Sequence, residues 1–136
     1  MRIALLVSEF NGEVTSRMLD VALERAAALG LDVSRTCRVP GTYDMPVVAD
    51  ALLARDDVDG VVALGAVVRG GTKHDEVIAH AAASALAGVA VRRGKPVSFG
   101  VSGPGTMRQA HARIRPVAER AVEAVRAVSA QLGEMG

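Results

Sequence analysis

Residues 61–80 read VVALGAVVRGGTKHDEVIAH, and how that stretch divides decides the fold. Its apolar beginning, with Gly60 before it, reads as a buried strand over 60–64. Glycines then break the run through residue 72. From His74 to about residue 92, Val77, Ile78, Ala81, Ala82, Ala85, Leu86, Val89 and Ala90 recur at i, i+3/i+4 spacing, which predicts an amphipathic helix. Gly94 is its stop. A buried strand that passes through a glycine turn into a long helix is half of a strand–helix–strand crossover.

The same alternation extends in both directions. Upstream, 2–7 (RIALLV) is a short apolar strand, 9–12 a turn, and 13–29 a helix carrying Val14, Met18, Val21, Ala22 and Leu29 on one stripe. Residues 32–39 return to strand character. Pro40 and Gly41 end that strand, and Pro46 suits the first turn of a helix over 45–54. Downstream, 96–101 is the fourth strand, S-G-P-G reads as a turn, and helices follow near 105–113 and 116–132. Strands and helices that alternate through short links imply a parallel sheet covered on both faces. The expected fold is therefore an α/β three-layer sandwich with a four-stranded parallel sheet, in one domain spanning 1–136. Ligands gather beyond the carboxyl ends of such strands. The turns at 8–12, 40–46, 65–74 and 100–106 all belong to that edge. They hold Phe10, Tyr43, His74 and many of the glycines.

Composition narrows the function. Half of the 136 residues are hydrophobic, 23% are charged and the net charge is +1, which gives no general basic field for nucleic acid. Cys37 is the only cysteine, so no disulfide forms within the chain. The first strand starts at the second residue without the apolar segment of a secretory leader, and no stretch suits a membrane span. The expectation is a soluble, cytoplasmic protein. Phe10, Tyr43 and Phe99 are the only aromatics, so the core is built from Val, Ala, Leu and Ile. A core of small side chains gains from burial against further copies of the chain.

Several residues are candidates for chemistry. Gly70-Gly71-Thr72 at the start of a helix would present amide hydrogens to an oxyanion or phosphate. The same glycines also serve an ordinary strand-to-helix turn. His74 carries an imidazole that could take up or hand over a proton, or could stand at the helix start facing solvent. His74 and His80 are six apart and do not share a helix face, so no metal site is expected. Phe10 could stack on a planar heterocycle with the Asn11 amide beside it, or cover the sheet edge. Asp44 could accept from polyol hydroxyls, or cap a helix. Arg113 could grip a phosphate bidentately, or be one more exposed arginine. Phe99 could line a site or belong to the core.

Taken in order, E-F-N (9–11), V-P-G-T-Y-D-M-P (39–46), A-L-G-A-V-V-R-G-G-T-K-H-D-E (63–76) and K-P-V-S-F-G-V-S-G-P-G-T-M-R-Q-A-H-A-R (95–113) resemble lumazine synthase along nearly the whole chain. The wording H-D-E-V-I-A-H and S-G-P-G is most similar to the archaeal branch. The resemblance implies a cofactor-independent transferase of riboflavin biosynthesis. In that reaction the amine of 5-amino-6-ribitylaminouracil attacks the ketone of 3,4-dihydroxy-2-butanone 4-phosphate. An imine forms, phosphate leaves, the ring closes and water is lost, giving 6,7-dimethyl-8-ribityllumazine.

The resemblance also implies roles. Phe10 would stack on the pyrimidine with Asn11 beside it, and the backbone of Ala66, Val67 and Val68 would pair with the uracil edge. Gly41, Thr42 and Asp44 would hold the ribityl chain. Gly71 and Thr72 would cradle the phosphate, with Arg113 as clamp, and His74 would shuttle protons. Phe99 and Arg113 would come from the adjacent subunit of a homopentamer. Twelve pentamers closed into a hollow shell is the larger form that the resemblance offers. The chain departs from the bacterial pattern in a shorter connection after Arg113, in Glu119 or Arg120 standing for a family lysine, in Lys73, and in a nearly absent N-terminal arm. Two other readings remain: an archaeal-type riboflavin synthase, expected to lack the R-G-G-T-K-H block, and a non-catalytic flavin- or lumazine-binding shell protein, expected to lose His74 or Arg113.

Overall fold

The computed structural model of the chain describes residues 1–71 and 73–136. Four strands, β1 (Arg2–Ser8), β2 (Asp32–Val39), β3 (Gly60–Val68) and β4 (Val97–Gly105), form one parallel sheet in the order β2-β1-β3-β4. Among the described residues, five α-helices connect or follow them: α1 (Gly12–Ala28), α2 (Met45–Leu53), α3 (His74–Arg93), α4 (Met107–Ala112) and α5 (Ile114–Glu134). A single 3-10 turn, Thr42–Asp44, leads into α2.

Side chains alternate across a strand, so each central strand feeds two cores. Ile3, Leu5 and Val7 of β1, with Val62, Leu64 and Ala66 of β3, pack beneath α1 and α5. Ala4 and Leu6, with Val61 and Ala63, pack beneath α2 and α3. Because β1 and β3 are covered on both faces, they read as continuous apolar runs rather than as alternation. This is the expected three-layer sandwich. On α5 the stripe Ile114, Ala118, Ala121, Val122 and Val125 is buried. At the opposite end of the sheet from the carboxyl termini, Lys95 Nζ donates to the carbonyls of Leu53, Arg55 and Val58 at 2.8–3.0 Å, tying down the end of α2.

Two boundaries differ from the sequence reading for one reason. β3 continues to Val68, four residues past the expected end, because β4 continues beside it to Gly105. The S-G-P-G segment is strand rather than turn. Its last pairing sets Val68 opposite Gly105, and the amide of Arg69 donates to the Gly105 carbonyl at 2.6 Å. β4 is an edge strand, so the N–H that Pro104 lacks breaks no ladder bond.

The long helix α3 also buries less than its periodicity suggests. Ala82, Leu86 and Val89 reach the core, whereas Ala81 and Ala85 are exposed, as is Val77 at 62%. Tyr43, Val47 and Phe99 are likewise exposed. This apolar surface on the α2–α3 side is what the wide helical stripe was signalling. Among the described residues, no helix is long and apolar enough to cross a membrane.

Candidate functional site

The carboxyl ends of β1 and β3 splay their following loops apart, and a cleft of about 290 Å³ opens between them. One wall begins at Asn11, which takes a left-handed conformation (φ 60°, ψ 44°) and turns the chain from β1 into α1. Asparagine tolerates this region better than most side chains. Its Nδ2 donates to the Ala66 carbonyl at 2.8 Å, locking the turn after β1 to the end of β3. That bond uses one of the two Asn11 amide hydrogens and one acceptor position of the Ala66 carbonyl, in the backbone stretch expected to face a uracil edge.

The second wall is the 40–44 loop. The Glu9 and Phe10 amides donate to the Pro40 carbonyl at 3.2 and 2.9 Å, which holds the two turns side by side. Asp44 Oδ2 accepts the Gly41 amide at 3.0 Å. The Phe10 ring then lies directly on Gly41: a Cβ placed there would stand 2.9 Å from two ring carbons. Phe10 is 65% exposed, so its outer face is open to the cleft rather than packed into a core. Gly65 lies deeper, where a Cβ would approach the hydroxyls of Ser8 and Thr42 at 2.9 and 3.0 Å. Glycine there lets the Thr42 loop close down on β3, and Thr42 is buried.

The third wall is Ala66, Val67 and Val68, followed by Gly70 and the first turn of α3 with His74 and Asp75. His74 is the first residue of α3, as its place after the glycines predicted. The cleft therefore brings together Phe10, Asn11, Gly41, Thr42, Asp44, the 66–68 backbone and His74 from three separated segments. Gly71, next after the lining residue Gly70, is exposed, and Thr72 lies outside the described residues.

Phe99 and Arg113 do not line this cleft. Phe99 pairs with Ala63 on edge strand β4, three residues below Ala66, and is 41% exposed. Arg113 is exposed at the junction of α4 and α5, with Nη1 near Gly105. Glu119 pairs with Arg115 at 3.4 Å on the surface of α5, and Arg120 is exposed. No lysine or arginine is among the described residues that line the cleft.

Sequence reasoning gave Asp75, Tyr43 and Ile78 no role in the site. All three line the cleft, and Asp75 is nine-tenths buried. A carboxylate in the first turn of a helix, five residues after Gly70, was the signal available for Asp75. Among the described residues, no group of three or more His, Cys, Asp and Glu side chains could hold a metal ion.

A family model described as 6,7-dimethyl-8-ribityllumazine synthase matches residues 1–134. The chain is 51% identical over 125 residues to the 6,7-dimethyl-8-ribityllumazine synthase of Pyrobaculum arsenaticum, covering 91% of this chain and 83% of that protein. It is 50% identical to the synthase of Staphylothermus marinus with the same coverage. To that of Sulfolobus acidocaldarius it is 48% identical, covering 90% and 78%. The match spans the loops that build the cleft as well as the core that supports them, and the chain belongs to the 6,7-dimethyl-8-ribityllumazine synthase family.

Proposed function

We propose that this cleft is where the chain condenses 5-amino-6-ribitylaminouracil with 3,4-dihydroxy-2-butanone 4-phosphate, and that two adjacent subunits share each site. The reaction itself, formation of 6,7-dimethyl-8-ribityllumazine, comes with the family. One observation supports the division of labour within it. Phe10, Asp44, the 66–68 backbone and His74 meet in one cleft, while Arg113 and Phe99 lie outside it on the same chain.

The pyrimidine stacks on the open face of Phe10, with its uracil edge against the backbone at Ala66, Val67 and Val68. The ribityl chain runs along Gly41 and Thr42 towards Asp44. Asp44 has one oxygen engaged by the Gly41 amide, and its other oxygen can accept from a hydroxyl. The butanone phosphate lies at the Gly71 and Thr72 end, over the start of α3, where amide hydrogens and the helix dipole favour an anion. Arg113 of a neighbouring subunit supplies a cation and grips the phosphate bidentately. Phe99 of that neighbour closes the pyrimidine end. The exposed apolar surface of Tyr43, Val47, Val77 and Phe99 gives neighbouring subunits an area to bury. A homopentamer, alone or in a closed shell of twelve, satisfies this requirement.

Most of the acceleration then comes from holding amine and ketone together. The ketone loses its oxygen as one water on forming the imine, phosphate is then eliminated, and ring closure onto the carbonyl that this elimination uncovers loses a second water. His74, at the boundary between the two substrates, passes the protons that these steps release and consume. Charge on the leaving phosphate is met by amides already in place.

The direct test mixes the two substrates with the assembled protein and follows lumazine fluorescence together with phosphate release. Both signals rising in step are expected. Binding of the pyrimidine without phosphate release would make the chain a carrier. Turnover of lumazine itself into a flavin would make it a riboflavin synthase.

A further inference from the structure

We propose that Asp75 is a positioning residue for the phosphate turn, a role that rests on the phosphate being held at the start of α3. Asp75 is the second residue of α3, lines the cleft and is 9% exposed. A carboxylate is rarely buried to that extent without strong partners. Here both oxygens are engaged by backbone amides. Oδ2 accepts from Gly70 at 2.9 Å, and Oδ1 accepts from Glu76 at 2.8 Å.

The bond from Gly70 connects the beginning of the turn to the beginning of the helix, and the bond from Glu76 holds the carboxylate within the first turn of α3. The amide of Arg69 is already committed to the Gly105 carbonyl of β4. With Gly70 fixed by Asp75, the chain leaves the sheet in one defined direction. Gly71 follows as the first glycine past that anchor, and among the described residues beyond its chain neighbours nothing stands within 4 Å of the place its Cβ would take. Two glycines in succession have wide conformational freedom, so an amide cradle built on them would otherwise be ordered at the substrate's expense. The carboxylate prepays that ordering before the phosphate arrives.

A carboxylate near a phosphate also repels it. Asp75 offsets this because both its oxygens already accept amide hydrogens, which leaves the neighbour's Arg113 to balance the phosphate. The role is therefore geometric and requires an acceptor oxygen at this position, not a negative charge. Asparagine keeps an acceptor for Gly70; alanine does not.

The test combines two readouts on the assembled protein. In steady-state kinetics, Asp75→Ala raises the KM for butanone phosphate by about tenfold. The KM for the pyrimidine and the kcat at saturation stay within about twofold. Asp75→Asn returns the KM to within about threefold of the parent value. Equal defects in both variants, an unchanged KM in Asp75→Ala, or equal rises for both substrates would each overturn the proposal. In hydrogen exchange by mass spectrometry, the unsubstituted protein shows a slowly exchanging Gly70 amide without ligand, and a fast one overturns the proposal whether or not any variant folds. Added inorganic phosphate should further slow exchange in the peptide spanning 66–77. If it does not, the phosphate site itself is misplaced and the role of Asp75 falls with it. If it does while Asp75→Ala leaves the KM unchanged, only the role of Asp75 fails.

Discussion

Gly41→Ala disturbs the stacking face where the Phe10 ring rests on the 40–44 loop. Gly41 has an extended backbone (φ −137°, ψ 171°) that alanine adopts without strain. The new methyl would stand 2.9 Å from Cδ2 and Cε2 of Phe10. Carbon atoms in contact prefer 3.5–4.0 Å, so the ring must retreat by roughly 0.6–1.1 Å. It is free to do so because Phe10 is 65% exposed. Removing an aromatic platform from beneath a base costs ~1–3 kcal/mol, and a shift of this size forfeits about a quarter to a half of a contact's depth. The expected loss is therefore about 0.3–1.5 kcal/mol, or roughly two- to tenfold in the Kd for 5-amino-6-ribitylaminouracil. Stability should hardly change. Losing a glycine from the unfolded chain contributes about 0.4–1 kcal/mol in favour of folding, which offsets the displaced ring. Isothermal titration with the pyrimidine substrate, alongside a thermal melt, reads both quantities. An unchanged Kd would mean that the ring does not carry the heterocycle. A stability loss above about 3 kcal/mol would mean that the Phe10–Gly41 contact belongs to the core.

Other consequences can be measured separately. Arg113→Ala should raise the KM for butanone phosphate by about 10²-fold, as expected when a charged bidentate partner is lost, with the pyrimidine KM nearly unchanged. Saturation by the phosphate substrate at parental concentrations would remove the clamp. His74→Ala should lower kcat by about 10²-fold with modest change in either KM, since ring closure can proceed without the imidazole; a pre-steady-state trace with unchanged kcat would refute its proton role. The hydrogen bond from Arg93, assisted by Arg92, holds the Asp50 carboxyl below its usual value of 3.8. A lowered folded-state pKa contributes stability that is present above the ordinary carboxylate value and lost as pH falls through the lowered one. Asp50→Asn should therefore flatten the loss of Tm below about pH 4, and an identical acid limb would show that this link between α2 and α3 carries no linkage.

The central strands were legible because β1 and β3 are buried on both faces, so their apolar runs have no competing helical period. The helix stops were legible where chemistry forces them: Gly94 caps α3 with φ 65°. The ends of β3 and β4 were not, because glycine and proline mark turns locally, while the pairing of Val68 with Gly105 is a contact between distant segments. On α3, periodicity gave the helix but not its partner. The positions that face the core, such as Leu86, and those left exposed, such as Val77, follow the same spacing. Within the site, Phe10 and Asp44 were visible as residue types in suggestive places. Their coupling through Gly41 was not, since it depends on a bond of 3.0 Å and a ring contact that only folding creates. Asp75 escaped for a similar reason: an acid at a helix start looks like an ordinary cap until its burial and its bond to Gly70 are known.

The account turns on each site being built from two chains. His74→Ala and Arg113→Ala chains can be made separately, denatured, mixed in equal amounts and reassembled. If His74 and Arg113 of one site come from neighbouring subunits, random assembly restores both residues at about a quarter of the sites, and lumazine formation at low butanone phosphate should recover to about a quarter of the parent rate. Activity no higher than the average of the two variants alone would place both residues on the same chain and contradict the shared site.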